Sequence, residues 1–147
     1  MLQIRINHKP LRILEAGTGL GLTAIAMSLV SKNVQIDTID MDTSVMELAK
    51  NKAKEFGVDT QINFLNTNFL DITPSLAKNY DMVFFDGYAL GLTVYLELER
   101  LLKPKGIMVA ANLTLGGDYK KVILKLKDKQ FFSSYFHFDD TGVGVKV

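Results

Sequence analysis

The chain has 147 residues, of which 48% are hydrophobic and 22% charged, and it contains no cysteine. These values predict one globular domain, and the absence of thiols excludes disulfides, thiol catalysis and thiolate metal sites. A formal net charge of +1 gives no overall electrostatic reason to expect nucleic acid or an anionic membrane as partner. Residues 1–10 show no signal-peptide core, and no apolar run approaches the ~20 residues of a membrane span, so we expect a cytoplasmic protein.

The first predicted unit is a strand, a tight turn and a helix. An apolar run at 11–16 precedes three alternating glycines, and an apolar helix is predicted at 22–30. The glycines are Gly17, Gly19 and Gly21. A dinucleotide fingerprint would instead read Gly-x-Gly-x-x-Gly, and the acid Glu15 would repel a pyrophosphate. The turn therefore favours a ligand that carries an ammonium group or hydroxyls.

Strands and helices alternate along the rest of the chain. Further strands are predicted at 34–39, 61–65, 80–85, 107–111, 131–138 and 143–147. Further helices are predicted at 44–56, 92–102 and 118–128. Ser44 and Glu47 form a capping-box pattern at the start of the first of these, and Asp118 is predicted to cap the last.

This alternation predicts an α/β fold. We expect a Rossmann-like, doubly wound and mostly parallel sheet of seven strands, with helices on both faces. A hairpin-like turn at 139–142 joins the last two strands and predicts one antiparallel strand near the edge. Residues 1–147 are predicted to form a single domain.

Five polar residues lie at or just beyond the carboxyl ends of five successive predicted strands. They are Glu15, Asp40, Asn68, Asp86 and Asn112. In an open α/β sheet the ligand crevice lies at these strand ends, so the side chains are expected to converge there. Asp40 follows the glycine turn at about 25 residues, near the spacing at which an acid binds a ribose diol in such folds.

Several motifs, in this order, resemble class I S-adenosylmethionine-dependent methyltransferases. They are Glu15–Gly21, Asp40, Tyr80–Asp86 and Leu101–Gly106. Within that superfamily the chain is most similar to O-methyltransferases of the catechol and caffeoyl-CoA type. The residues that carry this closer resemblance are Phe84–Ala89, Tyr95, Ala111, Asn112 and Gly142–Lys146.

The resemblance implies S-adenosylmethionine as cofactor, with S-adenosylhomocysteine as product. The residues implied to contact it are Glu15, Gly17, Thr18, Gly19, Gly21, Asp40, Met41, Asn68, Phe69 and Asp86. Glu15 would lie near the methionyl ammonium, Asp40 would accept from both ribose hydroxyls, and Met41 would pack on the adenine. Asn68 stands where the family usually has an aspartate beside the adenine amino group. Asp86 would lie nearest the sulfonium and is the implied catalytic residue.

Two substitutions separate this chain from the metal-dependent subfamily. Ala111 replaces the second acid that, with Asp86 and Asn112, would hold a divalent metal, and Ala89 replaces a lysine that helps deprotonate the acceptor. Two oxygen ligands plus water seldom make a defined magnesium site, so we expect no metal-binding residues. The segment before the first strand is also shorter than in the subfamily. We expect a trimmed chain, a lid from another subunit, or a large and partly exposed acceptor.

The sequence therefore predicts a methyltransferase that is O-methyltransferase-like, with a small-molecule acceptor that the sequence does not name. An RNA or protein methyltransferase is a second interpretation, and a non-catalytic S-adenosylmethionine-binding module is a third. A homodimer is compatible with the resemblance, and no membrane partner is expected. Lysines at helical spacing, Lys121, Lys125 and Lys129, indicate a solvated face more than an RNA contact.

Overall fold

The computed structural model describes residues 11–147, so the expectation for residues 1–10 lies outside the described part of the chain. The strands are β1 (Leu11–Ala16), β2 (Val34–Asp40), β3 (Ile62–Asn66), β4 (Tyr80–Phe85), β5 (Leu102–Ala110), β6 (Phe132–Phe138) and β7 (Thr141–Lys146). The helices are α1 (Leu22–Val30), α2 (Thr43–Glu55), α3 (Phe69–Ile72), α4 (Leu92–Leu101) and α5 (Tyr119–Lys127). Among these residues no helix is long and apolar enough to cross a membrane, and the cytoplasmic location stays a prediction.

All seven strands form one sheet in the order β3-β2-β1-β4-β5-β7-β6. The pairs among β1 to β5 are parallel, whereas β7 runs antiparallel to both β5 and β6. The predicted doubly wound sheet with one antiparallel strand near the edge is therefore confirmed. Strand order reverses beside β1, so β1 and its neighbours β2 and β4 open the crevice at their carboxyl ends.

Alternate residues of each strand supply the two faces of the sheet. On one face Ile13 of β1 packs in a cluster with α1 and α2 residues such as Ala24 and Ala53. On the other face Leu14 belongs to a larger cluster that includes Leu98 of α4. Helices thus cover both faces, as the run of apolar β-branched residues in these parallel strands requires.

Strand β5 begins five residues earlier than predicted, at Leu102 instead of residue 107. Leu102 pairs with Tyr80, but the next pair is Ile107 with Met82, so the register shifts between them. Lys105, inside this irregular stretch, has a positive φ of 62°. The chain therefore bulges around Pro104, whose ring nitrogen cannot donate to a neighbouring strand.

The predicted helix caps differ from those observed. Asp42, and not Ser44, caps α2, because its carboxylate accepts from the backbone N–H groups of Ser44 and Val45 at 2.9 and 3.1 Å. Asp118 makes no side-chain cap bond to α5. Its carboxylate instead accepts from the Leu92 N–H at 3.4 Å and from Lys121 at 2.9 Å.

Candidate cofactor site

The glycine turn connects β1 to α1 through three residues with positive φ. The φ values of Gly17, Gly19 and Gly21 are 101°, 49° and 78°. A Cβ on Gly17 would lie 2.8 Å from the backbone carbonyl of Asp86, and a Cβ on Gly21 would lie 2.9 Å from the Cβ of Ala49. Both positions therefore require glycine, because conformation and space each exclude a side chain. A Cβ on Gly19 would meet no atom within 4 Å, so only the backbone conformation favours glycine at this position.

Asp40 is the last residue of β2, and its side chain extends back to the glycine turn. Its Oδ2 accepts from the Gly19 N–H at 3.1 Å, and its Oδ1 accepts from the Asp42 N–H at 3.0 Å. Two backbone donors thus hold the carboxylate in one orientation. Each oxygen keeps a further lone pair, so the carboxylate can still accept from a ligand.

A cavity of about 260 Å³ opens at the carboxyl ends of β1, β2 and β4. Its lining residues are Ala16, Gly17, Ile39, Asp40, Met41, Thr67, Asn68, Phe69, Leu70, Phe85 and Val94. The walls are mostly apolar, and Asp40 is the charged group on them. This combination suits a ligand with a flat apolar part and a polar diol.

Asn68 lies at the rim of this cavity and serves as the N-cap of α3. Its Oδ1 accepts from the Leu70 N–H at 2.9 Å, and its Nδ2 lies 3.2 Å from the sulfur of Met41. Met41 itself is 65% exposed, so its side chain is free to pack on an incoming group. The structure therefore brings Asn68 and Met41 together at one side of the cavity.

Asp86 follows β4 and is joined to the neighbouring strand ends. Its N–H donates to the carbonyl of Ala16 at 3.0 Å. The Nδ2 of Asn112 donates to Asp86 Oδ1 at 3.2 Å and to the Gly87 carbonyl at 3.1 Å. Asn112 also has a positive φ of 56°, so strained backbone lies beside this carboxylate.

The residues around Asp86 do not fit a divalent metal. Ala111 offers no ligand, and Asn112 turns its amide nitrogen towards the carboxylate, where a metal would need an oxygen. Within residues 11–147 there is also no cluster of three or more His, Cys, Asp or Glu that could hold a metal ion.

Glu15 lies beneath the glycine turn and not on the cavity wall. It is 1% exposed, and its Oε2 accepts from the Thr38 hydroxyl at 2.5 Å. Burial raises the pKa of Glu15 to about 7, against the opposing effect of the Thr38 hydrogen bond, and the nearby charges of Asp86 and Asp40 raise it further. Thr18 is also buried, and its hydroxyl lies 2.7 Å from that of Thr38.

Sequence reasoning did not single out Thr38, although a signal for it exists. Thr38 lies on the same alternating face of β2 as the apolar residues Val34 and Ile36, and it pairs in register with Glu15. A buried acid needs a hydrogen-bonding partner, so the neighbouring strand is the place to look for one.

The polar strand-end residues named from the sequence gather at one edge of the sheet. Asp40 contacts Gly19, Asn68 contacts Met41, and Asp86 contacts Asn112. Phe69 lines the cavity with Asp40, Met41 and Asn68, while Thr18 and Glu15 are buried and do not line it. Their roles towards a cofactor stay predictions.

A larger hollow of about 440 Å³ opens beside the amino-terminal start of β5. Three of its four lining cations are already engaged: Arg100 pairs with Glu97, Lys103 with Asp81, and Lys146 donates to the Leu102 carbonyl. Most of the charged groups that line this second hollow therefore already have a partner.

The fold and the crevice define a Rossmann-like α/β domain with a candidate ligand site at the carboxyl ends of its parallel strands. The chain belongs to the methyltransferase domain family, whose model, described as "Methyltransferase domain", matches residues 7–134.

Two curated relatives illustrate the sequence similarity. The chain is 23% identical over 119 residues to the O-methyltransferase hkm8 of Aspergillus hancockii, covering 78% of this chain and 47% of the relative. It is 26% identical over 153 residues to a tRNA 5-carboxymethoxyuridine methyltransferase of Escherichia coli O157:H7, covering 94% of this chain and 58% of the relative. The chain thus spans about half the length of the curated relatives it matches.

Solved structures support the fold. The O-methyltransferase TomG from Streptomyces achromogenes, in complex with S-adenosylmethionine, superposes with a TM-score of 0.81 at 21% identity, covering 96% of this chain and 75% of that one. A candidate caffeoyl-CoA O-methyltransferase from Staphylococcus aureus superposes with a TM-score of 0.77 at 20% identity, covering 96% and 78%. The resemblance seen in the sequence motifs, to O-methyltransferases of this type, is therefore confirmed at the level of the family and fold.

Proposed function

We propose that this chain is the catalytic domain of an S-adenosylmethionine-dependent methyltransferase. The observation that carries the proposal is the bond between Asp40 and the Gly19 N–H, which joins a carboxylate at the end of β2 to the glycine turn beside a cavity. Ribose hydroxyls would donate to the free lone pairs of Asp40, and the adenine would lie against Met41 and Phe69. The backbone at Gly19, where a Cβ would meet no atom within 4 Å, leaves room for the methionyl part.

When bound, the cofactor would supply a methyl group on its sulfonium: an acceptor atom would bond to the methyl carbon in line with the breaking carbon–sulfur bond, and S-adenosylhomocysteine would leave. The chain's contribution is to hold the acceptor in that line, since orientation alone lowers such barriers by several kcal/mol, on the order of 7–11 at most. Asp86 projects at the carboxyl end of β4, where Asn112 orients its carboxylate. Asp86 would take the acceptor proton or hold the acceptor hydroxyl by a hydrogen bond.

We further propose a small-molecule hydroxyl as the acceptor. The O-methyltransferases among the similar proteins support this choice. Aspartate is a weak base towards an alcohol, and residue 89 is an alanine where a lysine could have assisted it. A phenol has a pKa near 10, so Asp86 can deprotonate it more readily than it can deprotonate an alcohol.

Calorimetric titration with S-adenosylmethionine tests the cofactor. We expect binding to one site per chain, with S-adenosylhomocysteine competing for it. Absence of binding by both compounds to the folded protein would overturn the proposal. Incubation of the complex with a panel of phenols, and detection of the methylated product by mass spectrometry, then tests the acceptor class.

An RNA acceptor is the second candidate, because a relative matched over 94% of this chain is a tRNA methyltransferase. Helix α5 carries several lysines, although Lys121 is paired with Asp118. A gel-shift experiment with total tRNA separates the candidates. A salt-sensitive shift with methyl incorporation into tRNA would favour RNA, whereas product from phenols alone would favour the small molecule.

A non-catalytic S-adenosylmethionine-binding module is the third candidate, and Ala89 and Ala111 motivate it. It predicts tight cofactor binding with no turnover towards phenols, amines or tRNA. Any methylated product that depends on the cofactor and is lost in an Asp86→Ala variant would exclude it.

A further inference from the structure

Three buried polar side chains form a linear chain of hydrogen bonds beneath the glycine turn. Thr38 gives its single hydroxyl hydrogen to Glu15 Oε2 at 2.5 Å. The 2.7 Å contact between Thr38 and Thr18 must then use the hydrogen of Thr18. The hydrogen bonds therefore run from Thr18 to Thr38 to Glu15, and Thr18 belongs to the turn itself.

The donor-to-acceptor direction of these hydrogen bonds depends on whether Glu15 is protonated. An ionised carboxylate can only accept, so it draws the hydrogens of both threonines towards itself. A protonated carboxyl can donate to Thr38, which then donates to Thr18 and leaves the Thr18 hydrogen free for another partner. The proton on Glu15 thus changes what the turn offers to a ligand.

Among residues 11–147, the charges that act on Glu15 are all of one sign. Asp40 at the end of β2 and Asp86 after β4 both act on its carboxyl group. Helix α1 has the sequence LTAIAMSLV and contributes no titratable side chain. In register on the neighbouring strands, Glu15 faces Thr38 and Phe84, which carry no charge. A cation in the adjoining cavity would place a positive charge near these three acids.

We propose that Thr38 and Thr18 are positioning residues that couple Glu15 to the glycine turn, and that a cationic ligand binds with release of the Glu15 proton to solvent. The inference rests on the proposed function, since the cation is the sulfonium and ammonium of S-adenosylmethionine. The raised pKa of Glu15, about 7, supplies the proton near neutral pH.

Calorimetry in two buffers with different ionisation enthalpies measures the released protons. Titrations of S-adenosylmethionine at pH 6, 7 and 8 should show release that is greatest at pH 6, where free Glu15 is mostly protonated. By linkage the affinity should rise about tenfold from pH 6 to pH 8. S-adenosylhomocysteine lacks the sulfonium charge and should show a smaller rise.

Three variants separate this coupling from a merely structural role. Glu15→Gln should remove the proton release and also corrects for titration of the ligand's own amino group. Thr38→Val should move the pH midpoint of the affinity upwards, because the carboxylate loses its donor, and Thr38→Ser should restore it. An equal loss of affinity at every pH in Thr38→Val would overturn the inference.

A measurement on the unaltered protein keeps the test independent of the folding of the variants. The ¹³Cδ resonance of Glu15 should titrate near pH 7 without ligand and lose that titration once S-adenosylmethionine is bound. Binding without proton release would overturn this inference and leave the proposed function intact. Absence of binding at every pH would overturn both.

Discussion

Asn112 donates through its amide nitrogen to the Asp86 carboxylate, 3.2 Å away, while its own backbone has a φ of 56°. The same nitrogen donates to the Gly87 carbonyl at 3.1 Å. Asparagine tolerates the left-handed conformation better than most residues, because its short polar side chain bonds locally. Asn112, which stands at a metal-ligand position of the subfamily, therefore orients the carboxylate of the predicted catalytic residue Asp86.

Replacing Asn112 should separate its backbone role from its side-chain role. Asn112→Gly keeps the positive φ and loses two hydrogen bonds, so we expect a loss of about 1 kcal/mol in the free energy of unfolding. Asn112→Val also places a β-branched residue at positive φ, which should cost a further ~1–2 kcal/mol. Urea denaturation measures both, and equal losses would contradict the strain argument.

Gly17 and Gly19 form a matched pair for testing the turn. In Gly17→Ala the new Cβ lies 2.8 Å from the Asp86 carbonyl, at a residue whose φ is 101°. In Gly19→Ala the new Cβ meets no atom within 4 Å, at a residue whose φ is 49°. We expect Gly17→Ala to destabilise the fold by more than about 3 kcal/mol and Gly19→Ala by only about 1. Thermal unfolding of the two variants checks the order, and the reverse order would contradict the observed geometry.

Asp40→Ala should weaken binding of S-adenosylmethionine by about 1–3 kcal/mol, because it removes the acceptor for two ribose hydroxyls. Calorimetry gives the change directly. Asp71→Ala is a suitable control, since Asp71 is an exposed acid that does not line the cavity. An unchanged affinity in Asp40→Ala would contradict the proposed position of the ribose.

Glu15 should make the stability of the fold depend on pH. Its pKa rises from 4.5 to about 7 on folding, so between these values the folded state holds a proton that the unfolded chain has lost. This contribution is complete below pH 4.5 and is lost as the pH rises through 7. From the size of the shift, the loss amounts to about 3 kcal/mol.

In Glu15→Gln the side chain is uncharged at every pH, so the free energy of unfolding should not fall as the pH rises through 7. We expect it to match the unaltered protein at pH 4.5 and to exceed it by up to about 3 kcal/mol at pH 8.5, as measured by urea denaturation. Glu55→Gln, at an exposed acid of α2 paired with Lys52, should show little pH-dependent difference. A Glu15→Gln effect of equal size at both pH values would speak against a buried proton.

Strands β1 and β4 match the sequence prediction residue for residue, because each is an apolar run ended by a polar or glycine residue. The predicted gathering of strand-end side chains follows from the parallel order of those strands alone. The start of β5 could not be predicted, since Pro104 lies within it and the bulge depends on Tyr80 across the sheet.

The individual hydrogen bonds of the site are harder to predict from the sequence than the strands that carry them. The partnership of Glu15 with Thr38 depends on the register of β1 against β2, which no local pattern specifies. The direction of the Asn112 amide depends on the Gly87 carbonyl, to which it also donates. Residue type and spacing predict which groups meet, whereas the structure is needed to say which atom of each group is engaged.

The position of β7 between β5 and β6 constrains the order of folding. In the described sheet β6 has β7 as its neighbour and makes no strand pair with β5, although β6 comes earlier in the chain than β7. Strands β6 and β7 therefore join the sheet either together, as a hairpin, or with β7 first. Until they do, β5 is an open edge with unpaired backbone, and a partly folded chain is most vulnerable to misassociation there.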